Sequence, residues 1–305
     1  MDPVLKAALS SWDWRLDVII TLLTAGVLFS RGWWRLRQRT RNRPNRHALG
    51  ARWRPVSYWL GLVFVGLALM SPLDTLASTL FSIHMVQHLF LIMFAPPLLL
   101  ATNPMPFVLW GLPDSVRLTV GRGIARLLNK KAPFRHYLRS ATSPGIIWLF
   151  WFISIIGWHD PGAYNAALRS SLVHDLEHLS FFLAGVLFWW HVTGAGPRVH
   201  KQFSLVGRIA FVISAIPPNM LTGIVIAFIN EPIYTYYLDV PRLWGLSVMD
   251  DQRLAGVIMW VPGSMMYIII ALIMVAQLLQ GEQEKPVRLV SQMGNEQDPI
   301  QSGSN

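Results

Sequence analysis

Long apolar blocks set the pattern of this chain, in place of the amphipathic period of a soluble helical protein. Residues 146–158 and 209–229 carry no charge and few polar positions, whereas a helix on the surface of a soluble domain needs a polar face. Seven blocks have roughly the length a bilayer requires: 17–34, 55–71, 80–101, 143–158, 173–193, 208–229 and 253–279. The fourth, led in by Thr142-Ser143-Pro144-Gly145, is the shortest. The pattern therefore predicts an all-α integral membrane protein with seven transmembrane helices, residues 1–280 forming one membrane domain. Residues 281–305, polar and rich in Gln, Ser and Gly, read as a disordered cytoplasmic tail. The first block begins near Leu16 without a basic n-region or a small-residue cleavage site, which marks a retained span and not a removed signal peptide.

Charged positions orient the spans. Residues 31–54 hold nine arginines, and residues 103–139 hold Arg117, Arg122, Arg126, Lys130, Lys131, Arg135 and Arg139. Both segments belong in the cytoplasm by the positive-inside rule. With alternating spans, only Lys6, Arg15, Arg169, Arg242 and Arg253 of the 26 basic residues fall on the other side. The N-terminus is thus expected outside and the C-terminus inside. The net charge of +10 is topological on this reading, meeting anionic headgroups of membrane lipids, and no nucleic-acid partner is expected.

Composition agrees with the class: 53% of residues are hydrophobic and 14% charged. The chain has no cysteine, which excludes disulfides, thiolate metal sites, cysteine nucleophiles and iron–sulfur clusters.

Candidate chemistry lies in two histidine pairs. Ile83-His84-Met85-Val86-Gln87-His88-Leu89 is echoed 90 positions later by Val173-His174-Asp175-Leu176-Glu177-His178-Leu179. Residues i and i+4 share one helix face, so each stretch offers two imidazoles to one neighbour. The third and fifth spans run the same way, and both pairs occupy first turns, which puts all four histidines at one depth on the outer side. His159, in Trp158-His159-Asp160-Pro161, joins them there. Ionisable groups inside a span are costly without a partner and functional by default. A shared metal site of His84, His88, His174, His178 and His159 is the first expectation. Three other readings stay open: histidines that only fasten helices together, a b-type haem, and an intramembrane zinc protease. The last rests on His174-Asp175-Leu176-Glu177-His178, which fits H-x-x-E-H with Glu177 as base, although the first pair has Gln87 there, which cannot act as one. His47, His136 and His200 in basic loops, and His191 at an inner span end, read as solvated or interfacial.

Imidazole suits zinc, copper, iron and nickel. Met85, together with Met249, Met259, Met265 and Met266, leans the site towards copper(I), while Glu177, Asp175 and Asp251 are carboxylates able to orient a ligand imidazole through its second nitrogen. Pro72 precedes His84 by twelve residues and Pro161 precedes His174 by thirteen, which suggests a duplication. A weaker third copy opens the seventh span at Met249-Asp250-Asp251-Gln252. The pairs Pro96-Pro97 and Pro217-Pro218 should kink the third and sixth spans.

Several of these motifs occur in one order: His84-Met85-Val86-Gln87-His88, Ala95-Pro96-Pro97, Asn103-Pro104, Trp158-His159-Asp160-Pro161 with Tyr164, His174 to His178, Phe188-Trp189-Trp190, Glu231-Pro232-Ile233-Tyr234-Thr235-Tyr236-Tyr237 and Asp251-Gln252-Arg253-Leu254. In this the chain resembles, over about residues 55–280, the multi-span CtaG family of cytochrome c oxidase assembly factors. The resemblance implies a seven-span, non-enzymatic protein of the bacterial cytoplasmic (inner) membrane that serves a caa3-type haem–copper terminal oxidase. Copper at the histidine cluster, and as partners the oxidase core subunits and an extracytoplasmic copper donor, are expectations that follow from it; zinc or haem is the lesser alternative. A scaffold for oxidase subunits that binds no metal is the rival function. The family is distinct from the single-span, cysteine-bearing copper chaperone of the same name, and residues 31–54 take nothing from the resemblance.

Overall fold

The computed structural model describes residues 10–40, 50–197, 199–200 and 203–296, with side chains as far as residue 280. Among the described residues there is no strand. The helices are α1 (Leu16–Arg39), α2 (Trp53–Met70), α3 (Pro72–Ala77), α4 (Phe81–Leu89), α5 (Ala95–Ala101), α6 (Pro104–Gly111), α7 (Asp114–Leu127), α8 (Pro133–Ala141), α9 (Pro144–Trp158), α10 (Pro161–Arg169), α11 (Ser171–Thr193), α12 (Leu205–Ile213), α13 (Ile216–Phe228) and α14 (Val248–Glu296). A π turn, Phe90–Phe94, joins α4 to α5, and a short 3-10 turn, Thr235–Leu238, lies before α14.

Six helical stretches are long and apolar enough to cross a membrane: Leu16–Arg39, Trp53–Met70, Phe81–Ala101, Ser171–Thr193, Leu205–Phe228 and Val248–Gln280. The fourth expected span corresponds to α9, whose 15 residues fall short alone. With α8 across a 49° bend it makes a seventh candidate. The α14 backbone continues to Glu296, while the tail expected from 281 lies outside the residues with described side chains. Helices α3, α6, α7, α8 and α10 occupy segments that apolar periodicity leaves as loops. Each but α7 begins with proline, whose fixed φ and missing N–H suit the first helical position.

The proline pairs interrupt their spans as the sequence requires. Pro96 has no N–H to give the Ile92 carbonyl, and the helix widens into the π turn there. The freed Ile92 oxygen accepts from Trp189 Nε1 of α11 at 2.9 Å. At the same level a Cβ on Gly185 would stand 2.9 Å from the Ile92 oxygen, so α11 lies against the π turn with no side chain between. The sixth span breaks at Ser214 and Ala215, just before Ile216-Pro217-Pro218. Helix α14 meets α13 by a similar approach, since a Cβ on Gly256 would stand 2.5 Å from the Ala227 nitrogen.

The bundle has two chemically different ends. At one end Arg15, just before α1, pairs with Asp175 near the start of α11 at 2.6 Å. At the other, Arg35 near the end of α1 donates to the carbonyls of Trp110 and Leu112 at 3.2 and 3.0 Å. This second end also gathers Arg37 over the ring of Trp33, and Arg39 and Arg117 over that of Trp110. It also holds a cavity of about 570 Å³ lined by His191, His200, Arg139 and Arg208.

Candidate metal centre

The N-terminal turns of α4 (Phe81–Leu89) and α11 (Ser171–Thr193) bring their histidines together at the Arg15–Asp175 end. Leu80, at the N-cap of α4, offers no side-chain cap. The cap comes from α14 instead: Asp251 accepts from the backbone N–H of Phe81 at 2.8 Å and of Ser82 at 3.0 Å. A carboxylate at a helix N-terminus meets free N–H groups and the positive dipole end. His84 thereby sits one turn inside a firmly held helix end. The next residue, Gln252, accepts from Ile233 N–H at 2.8 Å and donates to the Glu231 carbonyl at 3.1 Å. This pins the 231–237 segment over the histidines.

Tyrosines from that segment and from α10 form the roof. Rings of Tyr164 and Tyr234 lie 4.2 Å apart, and Phe81 meets Tyr234 edge-on at 4.8 Å. Tyr237 Oη donates to the Ala77 carbonyl at 3.0 Å, because a carbonyl only accepts. Tyr164 Oη stands 3.2 Å from Tyr237 Oη and 2.7 Å from His84 Nδ1. With the Tyr237 proton committed to Ala77, all three contacts are satisfied together only when Tyr164 gives its own proton to Tyr237 and accepts from His84 Nδ1–H. The relay fixes the tautomer, leaving the lone pair of His84 on Nε2. Burial above all pushes both phenols well up, so they stay protonated and the relay stays intact.

That Nε2 faces a carboxylate. Glu177 Oε2 lies 3.7 Å from His84 Nε2, and Glu177 Oε1 lies 3.5 Å from His88 Nε2. His84, His88, Glu177 and His178 each offer a donor within 4.8 Å of the others, and all four residues are buried. His84 Nε2, both His88 nitrogens, both Glu177 oxygens and His178 Nε2 have no hydrogen-bond partner. A buried polar atom left so costs about 1–3 kcal/mol, so the arrangement is unfavourable as it stands. Two donors on one tetrahedral ion with bonds of about 2.0 Å stand about 3.3 Å apart. The carboxylate-to-imidazole separations are close to that, and the donors fit a cation.

The chain matches the cytochrome c oxidase caa3 assembly factor family, Caa3_CtaG, over residues 27–281. It belongs to that family. This CtaG-family chain is also similar to curated relatives in mycobacteria. It is 24% identical over 290 residues to an uncharacterized protein of Mycobacterium leprae, covering 90% of this chain and 41% of that one. With an uncharacterized protein of Mycobacterium bovis it shares 24% identity over 274 residues, covering 87% and 39%. The chain thus spans about two fifths of the length of these relatives. No solved structure matches it.

The family match covers every residue the sequence put forward, and the fold sorts them. His84, His88 and His178 converge with Glu177, which the sequence offered as an orienting group and the fold places among the donors. His174 falls in a second group with Asp74 and His178, its ring 4.0 Å from that of His178 and 5.2 Å from that of His84. His159 stands beside the four, its ring 6.3 Å from that of His88. Its Nδ1–H donates to the Ile155 carbonyl at 2.7 Å, and Nε2 is buried without a partner. Burial draws this imidazole down to about 4, against that hydrogen bond, so it is neutral at physiological pH. Asp175 serves Arg15, and Asp251 serves the α4 backbone; neither orients an imidazole. Met85 is buried in the apolar core with Leu89, Ile92 and Phe181.

Sequence reasoning missed Tyr164 and Tyr237 as orienting groups, Gln87 as a support and Asp74 altogether. A tyrosine near a span end reads as an interface anchor, and nothing in the local pattern separates Asp74 from an exposed loop acid. Gln87 Nε2 donates to the Ala68 carbonyl at 2.6 Å and to Asp74 Oδ1 at 2.7 Å.

Proposed function

We propose that this assembly factor is a seven-span, non-enzymatic protein of the bacterial cytoplasmic membrane, with its N-terminus and histidine end outside. It holds a copper ion at His84, His88, His178 and Glu177, with His159 at the edge, and delivers it to a core subunit of a haem–copper oxidase. The observation that carries this reading is the set of buried donor atoms from α4 and α11 with no hydrogen-bond partner and with separations suited to one cation. Imidazoles favour copper among the metals such an oxidase takes up, and the Tyr164 relay presents the His84 lone pair to the ion. The arginine-rich opposite end supports the orientation. Placement of the Glu177 carboxylate against His84 and His88, among the donors, favours cargo binding over the off-metal base of a protease.

Copper retained by the detergent-purified protein under chelator competition tests the reading. One tightly held copper per chain is expected. Replacing His88 by Ala and Glu177 by Gln should weaken it by about 100-fold or more, with helicity and yield unchanged. Cells carrying that variant should lose oxidase activity while its abundance in the membrane stays normal. No copper in the wild-type protein would overturn the proposal. A variant that loses abundance and stability together would favour histidines that fasten a scaffold.

A further inference from the structure

Just before the second histidine, the two copies of the motif carry Gln87 and Glu177, and the fold gives this difference a use. Glu177, from the second copy, faces the histidines of the first at 3.7 and 3.5 Å. Gln87, from the first copy, carries no charge to offer. It instead holds Asp74 of α3 by a 2.7 Å hydrogen bond to Oδ1, and Asp74 stands with the histidines of the second copy. Asp74, His174 and His178 each present a donor within 4.8 Å of the others, yet no ion pair under 4.0 Å joins Asp74 to either histidine among the described residues. Each copy therefore meets a carboxylate that comes from outside it.

We infer that Asp74, His174 and His178 form a second cation station, through which the ion reaches the buried one. The inference rests on the copper-binding reading above. Two imidazoles and a carboxylate are a donor set for copper or zinc that leaves a position to water or to an exchanging ligand. Exposure sets the order of the stations. Asp74 and His174 are partly exposed, whereas His84, His88, Glu177 and His178 are buried. His178 belongs to both groups, so an ion passes inward by trading Asp74 and His174 for the inner donors while His178 remains bound. Gln87 is fully buried and divides its amide between the Ala68 carbonyl and Asp74, which makes it a positioning residue for the outer station.

The test removes the inner donors of the first copy and asks whether an ion stays. In the full-length H84A/H88A variant, titrated with copper(II) in detergent, one copper per chain is expected. Its paramagnetic resonance spectrum should show two nitrogen ligands, and D74N or H174A added to that variant should abolish it. If the wild-type protein binds copper but H84A/H88A binds none, or binds it regardless of Asp74 and His174, the outer station is overturned and the buried site stands. If the wild-type protein binds none, both readings fall. Should H84A/H88A not fold, loading of the otherwise wild-type protein from chelator-bound copper decides: D74N is expected to slow it by about tenfold or more, and loading at the wild-type rate overturns the inference.

Discussion

At the scale of single residues, the site depends on where protons lie. The chain His84 Nδ1–H to Tyr164, Tyr164 to Tyr237, and Tyr237 to the Ala77 carbonyl is the one arrangement that satisfies all three contacts, because its last member is an acceptor only. Tyr164→Phe removes the middle link and frees His84 to place its proton on Nε2, where a cation needs the lone pair. Copper affinity measured by chelator competition is expected to fall by about 10-fold or more, with the fold retained because the phenyl ring keeps its packing against Phe81 and Tyr234. Unchanged affinity would show that the relay does not set the tautomer. The histidine pairs were legible in sequence because a four-residue spacing on a helix is a local fact. Tyr164 and Tyr237 were not, since their partners lie 80 and 160 residues away.

At the scale of elements, helix ends decide how firmly the histidines are held. Helix α4 has no cap of its own and borrows Asp251 from α14. Asp251→Ala leaves two backbone N–H groups unpaired in a buried place and should cost about 2 kcal/mol or more. Thermal unfolding in detergent should show a lowered midpoint together with weaker copper binding, and Asp251→Asn should recover part of both. A midpoint equal to that of the wild-type protein would mean that water replaces the cap. The sequence offered Asp251 as an acid at the start of a span, possible kin to the histidine copies. Only the packing of α14 beside α4 shows that it serves a backbone. The proline interruptions, by contrast, were readable directly, because a missing N–H is a property of the residue. The partner of the freed Ile92 carbonyl, Trp189, was not.

At the scale of the whole molecule, the polarity of the bundle organises its function. The histidine end and the arginine end lie at opposite ends of α1. In a chain without cysteine, single cysteines report on each end separately. Thr75→Cys, beside Asp74, should react with a membrane-impermeant maleimide in intact spheroplasts. Lys130→Cys, between α7 and α8, should react only after permeabilisation. The opposite pattern would invert the topology and with it the side proposed for copper entry.

The sequence alone determined the class, the places of the apolar blocks, the uneven basic segments and the two histidine pairs, because hydropathy, charge and helical period are properties of neighbouring residues. The tertiary structure alone decided that α9 is too short to count as a span without α8, and that Glu177 stands among the donors while Asp175 turns to Arg15. It also decided that His174 falls in a second group with Asp74. These outcomes depend on how far each helix is rotated and how closely its neighbours approach. Contacts such as Gly185 on Ile92 and Gly256 on Ala227 set that approach, and they are made between segments distant along the chain.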